Sequence, residues 1–234
     1  MKIIGEIPAR IGSKRVKKKN LRYLYGKPMI CYAIDAAKNS KLLNEVYVNS
    51  DSDILGKLAK ENDVNFYKRS KELCSDNARQ EEFNYDFIKN TSADVLVMIN
   101  PVSPLLDSKD IDDVIQYYLN NDFDTVITTE EIKQQAFCNG DPININPMEL
   151  LQPTQDISSI HLCAWTITIW RASKFIETYE KEKYGAFSGK VGFYPMAREK
   201  CLKISYEEDF KLAESILASR DARISAVKFY EMEN

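Results

Sequence analysis

Short apolar segments alternate with helical patterns over the first 130 residues, and no other feature constrains the fold as strongly. Ile3 to Ile7 reads as a buried strand that Pro8 ends, because proline cannot donate to a central sheet ladder. Pro28 opens a helical pattern carrying Met29, Ile30, Tyr32, Ala33, Ile34, Ala36 and Ala37, with proline suited to the first turn. Val46 to Ser50 is a second strand. Asp51-Ser52-Asp53 caps the helix that follows, with Ile54, Leu55, Leu58 and Ala59 on one face. Val64 to Tyr67 is a third, short strand, and a helix is expected over Gln80 to Lys89. Val95 to Ile99 is the most apolar strand and belongs at the sheet centre. Asp107 or Ser108 then caps a helix carrying Ile111, Val114, Ile115, Tyr118 and Leu119, and Asp124 to Thr129 is another strand. The pattern is that of an α/β fold, an open and mostly parallel sheet with helices on both faces.

From Glu130 to Ile160 the periodicity weakens. Gly140-Asp141-Pro142 and Asn146-Pro147 are turn chemistry, so this stretch reads as an extended insertion: a lid, a substrate arm or a dimer arm. Leu162 to Trp170 is strongly β-prone, which fits a dimer surface and ordinary core equally. A helix near Ser173 to Lys181 and an extended piece over Lys190 to Pro195 follow. The last helix, Tyr206 to Ala218, carries Phe210, Leu212, Ala213, Ile216 and Leu217 as apolar positions. The chain of 234 residues is expected to form one domain, 1–234, with 130–172 as an insertion or dimerisation element.

A formal charge of -3 argues against general nucleic-acid affinity, and no apolar run approaches the roughly 20 residues of a membrane span. The amino terminus, Met-Lys and then a strand that stops at Pro8, lacks a signal-peptide pattern, so a cytoplasmic location is expected. The five cysteines, Cys31, Cys74, Cys138, Cys163 and Cys201, show no metal-binding spacing and read as reduced, mostly buried thiols. The single histidine, His161, reads as structural.

Beyond Pro8 the chain becomes cationic: Arg10, Lys14, Arg15, Lys17, Lys18 and Lys19 surround Gly12 and Ser13. Such a loop is either a solvated basic stretch or a phosphate cradle, in which glycine lets backbone N–H groups turn inward while Arg and Lys neutralise the anion. Its position after the first strand favours the cradle, since ligands of open α/β sheets bind beyond the carboxyl ends of the strands.

The run Ile7-Pro8-Ala9-Arg10-x-Gly12-Ser13-Lys14, with Lys19-Asn20 and Gly26-Lys27-Pro28, closely resembles the opening of the acylneuraminate cytidylyltransferases, the CMP-sialic acid synthetases. Val48-Asn49-Ser50-Asp51 looks like the family's Val-Ser-Thr-Asp. Arg69-(x)3-Leu73-x-x-Asp76 is similar to its Arg-Pro-x-x-Leu-Ala-x-Asp, and Asn100-Pro101-Val102-Ser103-Pro104-Leu105 to its Gln-Pro-Thr-Ser-Pro-Leu. The resemblance implies a Rossmann-like fold of the nucleotidyltransferase type, CTP as substrate, transfer of CMP to a sugar acid or related surface-polysaccharide precursor, Mg²⁺, and a homodimer. It puts Ala9, Arg10, Gly12, Ser13, Lys14, Asn20, Arg69 and Asn100 against the nucleotide and makes Lys19 the phosphate-activating lysine, with Arg10 beside it.

Two departures stand out. The family's metal-binding Asp-Ile-Asp is here Lys203-Ile204-Ser205, and lysine cannot ligate Mg²⁺. Either Lys203 replaces the metal as a catalytic cation, or Ser205, Glu207, Glu208 or another acid recruits it, or the chain is a catalytically degenerate nucleotide-binding subunit. Glu207 and Glu208 also suit the first turn of a helix as dipole-complementing acids. On the acceptor side, the family's Arg-Arg-Gln-Asp is reduced to Gln155-Asp156, leaving these two as the acceptor-binding candidates and the acceptor itself open.

Overall fold

The computed structural model describes residues 1–12 and 15–221. Its elements in chain order are β1 (Ile3–Pro8), the hairpin β2 (Tyr23–Leu24) and β3 (Lys27–Pro28), α1 (Ile30–Lys38), β4 (Glu45–Ser50), α2 (Asp53–Glu61) and β5 (Asn65–Lys68). Next come α3 (Gln80–Thr91), β6 (Val95–Ile99), α4 (Ser108–Leu119), β7 (Thr125–Ile132) and the small hairpin β8 (Phe137–Cys138) and β9 (Asp141–Pro142). The chain then adds β10 (Ile160–Arg171), α5 (Ala172–Glu182), β11 (Val191–Met196) and α6 (Glu207–Asp221).

Among the described residues seven strands form one sheet in the order β11-β7-β10-β6-β1-β4-β5. β6, an unbroken apolar run, occupies the middle position and is buried throughout. β1 is parallel to both of its neighbours, β4 and β6. The chain steps from β1 through β4 to β5 on one side, then returns to place β6 on the other. That reversal opens a crevice at the carboxyl ends of β1 and β6, the place where open α/β sheets accept ligands.

Helices α1, α2 and α4 cover one face through Ile30, Ile34, Leu55, Ile111, Val114 and Ile115. Helices α3 and α5 cover the other, where Phe87, Ile88 and Phe175 pack on Ile4, Leu96 and Trp170. Helix α6 lies apart from both, closing Leu24, Met29 and Ile204 beneath Phe210, Ala213 and Leu217.

β10 breaks the parallel pattern, running antiparallel to both β6 and β7. Its register slips between Cys163 and Thr168, and Trp165 in the slip takes a left-handed φ of 54°. Thr128 fills the gap, its hydroxyl accepting the Thr166 and Ile167 N–H groups at 3.1 Å each. The β-prone run thus serves two ends: Ala164 and Thr166 to Trp170 are core, while His161 and Leu162 are exposed.

Several local expectations are corrected. Pro28 does not start a helix. It closes the β2–β3 hairpin opposite Tyr23, and α1 begins at Ile30. Tyr25 and Gly26 turn that hairpin with φ of 40° and 93°, which glycine tolerates at the second position without strain. Ile54 and Leu212 face solvent rather than the core. Of the cysteines only Cys31 is buried, and Cys138 is exposed. Ser52 caps α2 by accepting the Leu55 N–H, and Asp107 caps α4 in the same way through Asp110. Among the described residues no helix is long and apolar enough to cross a membrane.

Candidate functional site

The crevice between β1 and β6 is a cleft of about 240 Å³ lined by Pro8, Arg10, Arg69, Phe83, Met98 and Asn100. Three of the residues singled out from the sequence therefore meet although they lie some 90 positions apart in the chain. Arg69 sits just past β5 and is almost fully buried. Its Nε donates to Cys74 Sγ at 3.1 Å, its Nη2 donates to the Ala9 carbonyl at 3.4 Å, and its guanidinium lies 4.4 Å from the Phe83 ring centre. Ala9 continues β1 by donating to the Asn49 carbonyl, so the arginine is braced against the strand that carries the basic loop.

Arg10 reaches across the cleft mouth to Asp76 Oδ1 at 2.9 Å and to the Ser75 carbonyl at 3.1 Å. Asn20 is buried and holds the loop by donating to the Arg10 carbonyl. Asn100 is fixed at the β10 bulge: its side chain donates to the Trp165 carbonyl at 3.2 Å and its backbone N–H to the Thr166 carbonyl. Gly12 is exposed, with open space where a Cβ would stand. Ser13 and Lys14 lie outside the described residues.

Lys19 is half-buried and donates to the Ile204 carbonyl at 2.6 Å. Burial, then the neighbouring Arg15 and Arg10 charges, hold its ammonium below the usual lysine range, while Asp209 opposes them. An anion placed here would relieve both the desolvation and the like-charge repulsion.

Ile204 also links Lys19 to a second recess, of about 800 Å³, lined by Glu130, Arg198, Cys201, Lys203, Ser205 and Tyr206. Burial pushes the Lys203 ammonium down as well. Lys19 and Lys203 thus flank Ile204, whose N–H donates to the Val102 carbonyl just past β6 at the carboxyl edge of the sheet. A third recess, of about 740 Å³, opens at the opposite edge beside Asp94 and Arg171, away from these groups.

Gln155 and Asp156 are exposed on the arm between β7 and β10 and line neither cleft, with the Gln155 carbonyl accepting from Lys133. His161 is exposed and shares a 3.0 Å hydrogen bond with Thr129.

A family model described as Cytidylyltransferase matches residues 4–214. The chain belongs to the cytidylyltransferase family. The N-acylneuraminate cytidylyltransferase of Streptococcus agalactiae serotype V is 30% identical over 223 residues, which cover 90% of this chain and 52% of the relative. The chain therefore spans about half the length of that relative. Post-translational flagellin modification protein B of Campylobacter coli is 26% identical over 228 residues, covering 94% of this chain and 96% of that one. The structure of CMP:2-keto-3-deoxy-manno-octonic acid synthetase complexed with CTP superposes with a TM-score of 0.70 at 14% identity, over 94% of this chain and 100% of that one. At that identity the likeness concerns the fold.

Two of the acids near Lys203, Glu207 and Asp209, are already engaged, whereas Glu208 is exposed on the first turn of α6. Glu207 forms a double hydrogen bond with Arg22, at 2.7 and 2.6 Å. One oxygen of Asp209 accepts the Ser205 and Tyr206 N–H groups, at 2.7 and 2.8 Å, as an acid three residues into a helix does for the helix start. No group of three His, Cys, Asp or Glu side chains among the described residues could hold a metal ion. The donors present do not fit an Mg²⁺ cage built from protein carboxylates.

Phe83 and Glu6 escape the sequence reading, in which Cys74 figures only as a thiol. The signal for Glu6 was present: a carboxylate in the middle of Ile3-Ile4-Gly5-Glu6-Ile7, a strand otherwise suited to full burial.

Proposed function

We propose that this cytidylyltransferase transfers CMP from CTP to a hydroxyl of an acidic sugar, releasing pyrophosphate. The convergence of Arg10, Arg69 and Asn100 on the β1–β6 crevice, with Lys19 alongside, supports the reading most directly. The acceptor hydroxyl oxygen attacks the α-phosphorus and gives up its proton to solvent as the new P–O bond forms. The bond to the bridging oxygen of the β-phosphate breaks, and the electron pair leaves with pyrophosphate. Little covalent work falls to the protein, so positioning and charge neutralisation carry the rate. Arg10 and Lys19 neutralise the triphosphate, with Gly12, Ser13 and Lys14 completing the phosphate loop. Asn20 holds that loop in shape, and Arg69 and Asn100 face the base end.

Lys203 and the 800 Å³ recess beside it form the acceptor end, where an ammonium suits a sugar carboxylate or stands in for metal charge. Calorimetry with CTP, UTP, ATP and GTP, each with and without Mg²⁺, tests the proposal. CTP-selective binding is expected, and failure to bind any nucleotide would sink it. In an assay of pyrophosphate release with an accepting sugar, Lys203→Asp is expected to make turnover more Mg²⁺-dependent, whereas unchanged kinetics would remove Lys203 from the reaction. The engaged acids near Lys203 favour one other reading, a nucleotide-binding subunit without turnover. Absence of pyrophosphate release with every acidic sugar tried, alongside tight CTP binding, would select it.

The arm between β7 and β10 joins two copies in this proposal. It exposes Met148, Leu150 and Leu151, at 90%, 95% and 74% of their surface. Leu150→Glu is expected to shift sedimentation from dimer to monomer and to leave a melting temperature that no longer rises with protein concentration. A wild-type monomer, or a variant that still dimerises, would count against the arm.

A further inference from the structure

Beneath the base-end cleft, the face of the sheet covered by α3 turns from apolar to polar. Glu6 shares a transverse row with Met98 and Thr168, and Asn49 shares the next with Pro8 and Tyr67. Asn84 points down from α3, on the buried stripe that continues to Phe87 and Ile88. Glu6 and Asn84 are wholly buried, and Arg69 nearly so. Asn49 Nδ2 donates to Glu6 Oε1 at 2.5 Å. Among the described residues Glu6 Oε2, Asn49 Oδ1, both polar atoms of Asn84, Thr168 Oγ1 and Arg69 Nη1 have no hydrogen-bond partner. Buried polar atoms without partners each cost on the order of 1–3 kcal/mol, so a group of them on one face, ending at a cleft arginine, calls for an explanation.

Donors and acceptors balance within the group if Glu6 carries its proton. The unpartnered donors are the Asn84 amide and Arg69 Nη1, to which a protonated Glu6 adds its hydroxyl; the unpartnered acceptors are Asn49 Oδ1, Asn84 Oδ1 and Thr168 Oγ1. We propose that Glu6 is a positioning residue for nucleotide binding: with Asn49 and Asn84 it forms a buried polar seam that sets the Arg69 guanidinium at the base end of the cleft. This rests on the reading of the cleft as a CTP site.

Burial is the largest influence on Glu6 and raises its pKa to about 8. The Asn49 hydrogen bond and the Arg69 charge work the other way, and Asp86 on α3 adds to the rise. Tyr67 on β5 also faces the group, its hydroxyl donating to Asp86 Oδ2 at 2.7 Å. While neutral, Glu6 leaves Arg69 available to the ligand. Once ionised, it competes with the ligand for the same guanidinium.

The test is CTP binding by the full chain from pH 6.5 to 9, for wild type, Glu6→Gln and Glu6→Leu. Wild-type affinity is expected to fall about tenfold above pH 8, the loss of one charge-assisted hydrogen bond, while Glu6→Gln stays flat. Glu6→Leu, without partners for the seam, is expected to bind severalfold more weakly at every pH, and Glu6→Gln to restore affinity at pH 7. Thermal melts supply the second readout. A carboxyl with a raised folded pKa contributes stability that is complete below its unfolded value and lost as pH rises through about 8. Wild type should therefore lose melting temperature relative to Glu6→Gln between pH 5 and 8. A Glu6→Gln profile that still falls with wild type, or Glu6→Leu binding as tightly as wild type, would overturn the proposal. Wild type binding no nucleotide at pH 7 would instead remove the CTP reading, and the proposal with it.

Discussion

Lys19→Ala is expected to lower kcat/KM for pyrophosphate release by about 10²–10³-fold, the cost of removing one preorganised donor from developing phosphate charge. The loss should fall mainly on kcat, because the ammonium is held half-buried against the Ile204 carbonyl before any ligand arrives and needs little reordering to act. Its depressed basicity points the same way, since a cation crowded by Arg15 and Arg10 gains most when negative charge builds beside it. Stability should change little, because the substitution removes a single side-chain hydrogen bond. Stopped-flow detection of pyrophosphate with CTP and an accepting sugar measures the effect. A variant within threefold of wild type would place the triphosphate elsewhere.

Trp170→Ala is expected to destabilise the chain by about 3–5 kcal/mol, the range for emptying a large aromatic site in a close-packed core. Trp170 is fully buried on β10, meets Phe175 edge to face at 5.7 Å between ring centres, and donates its indole N–H to the Ala186 carbonyl at 3.1 Å. The substitution leaves a cavity between the sheet and α5 and strips Ala186 of its donor. Natural domains have only about 5–15 kcal/mol in total, so a large downward shift of the urea midpoint should follow. Trp170→Phe, which keeps the ring and loses only the hydrogen bond and part of the volume, should recover more than half of the loss. A shift below about 1 kcal/mol for Trp170→Ala would mean that the α5 layer repacks freely.

The elements most legible in the sequence were those whose burial is uniform. β6 reads as a central strand because every residue in it is apolar, and that is where it lies. Ser52 and Asp107 announce α2 and α4 because a cap is a local hydrogen bond between near neighbours. Pro28 misled because its fixed φ suits a helix start and a hairpin strand alike, and only the pairing with Tyr23 decides between them. Glu6 is hidden in the sequence because an apolar run reads through it; in the structure its carboxyl is met from a neighbouring strand, where the Asn49 amide donates to it.

What the sequence determined by itself was therefore local or carried by motif: the alternation that makes a parallel sheet, the basic loop after its first strand, and membership of the cytidylyltransferase family. The tertiary structure alone decided that β10 enters antiparallel between β6 and β7, that its bulge holds Asn100, and that Arg10, Arg69 and Asn100 share one crevice. It also decided that Glu207 serves Arg22 and that Asp209 serves a helix start. The reason is physical. Periodicity and capping report on neighbours in the chain, whereas strand order, long-range ion pairs and the balance of buried donors and acceptors depend on segments that meet only after the sheet has closed.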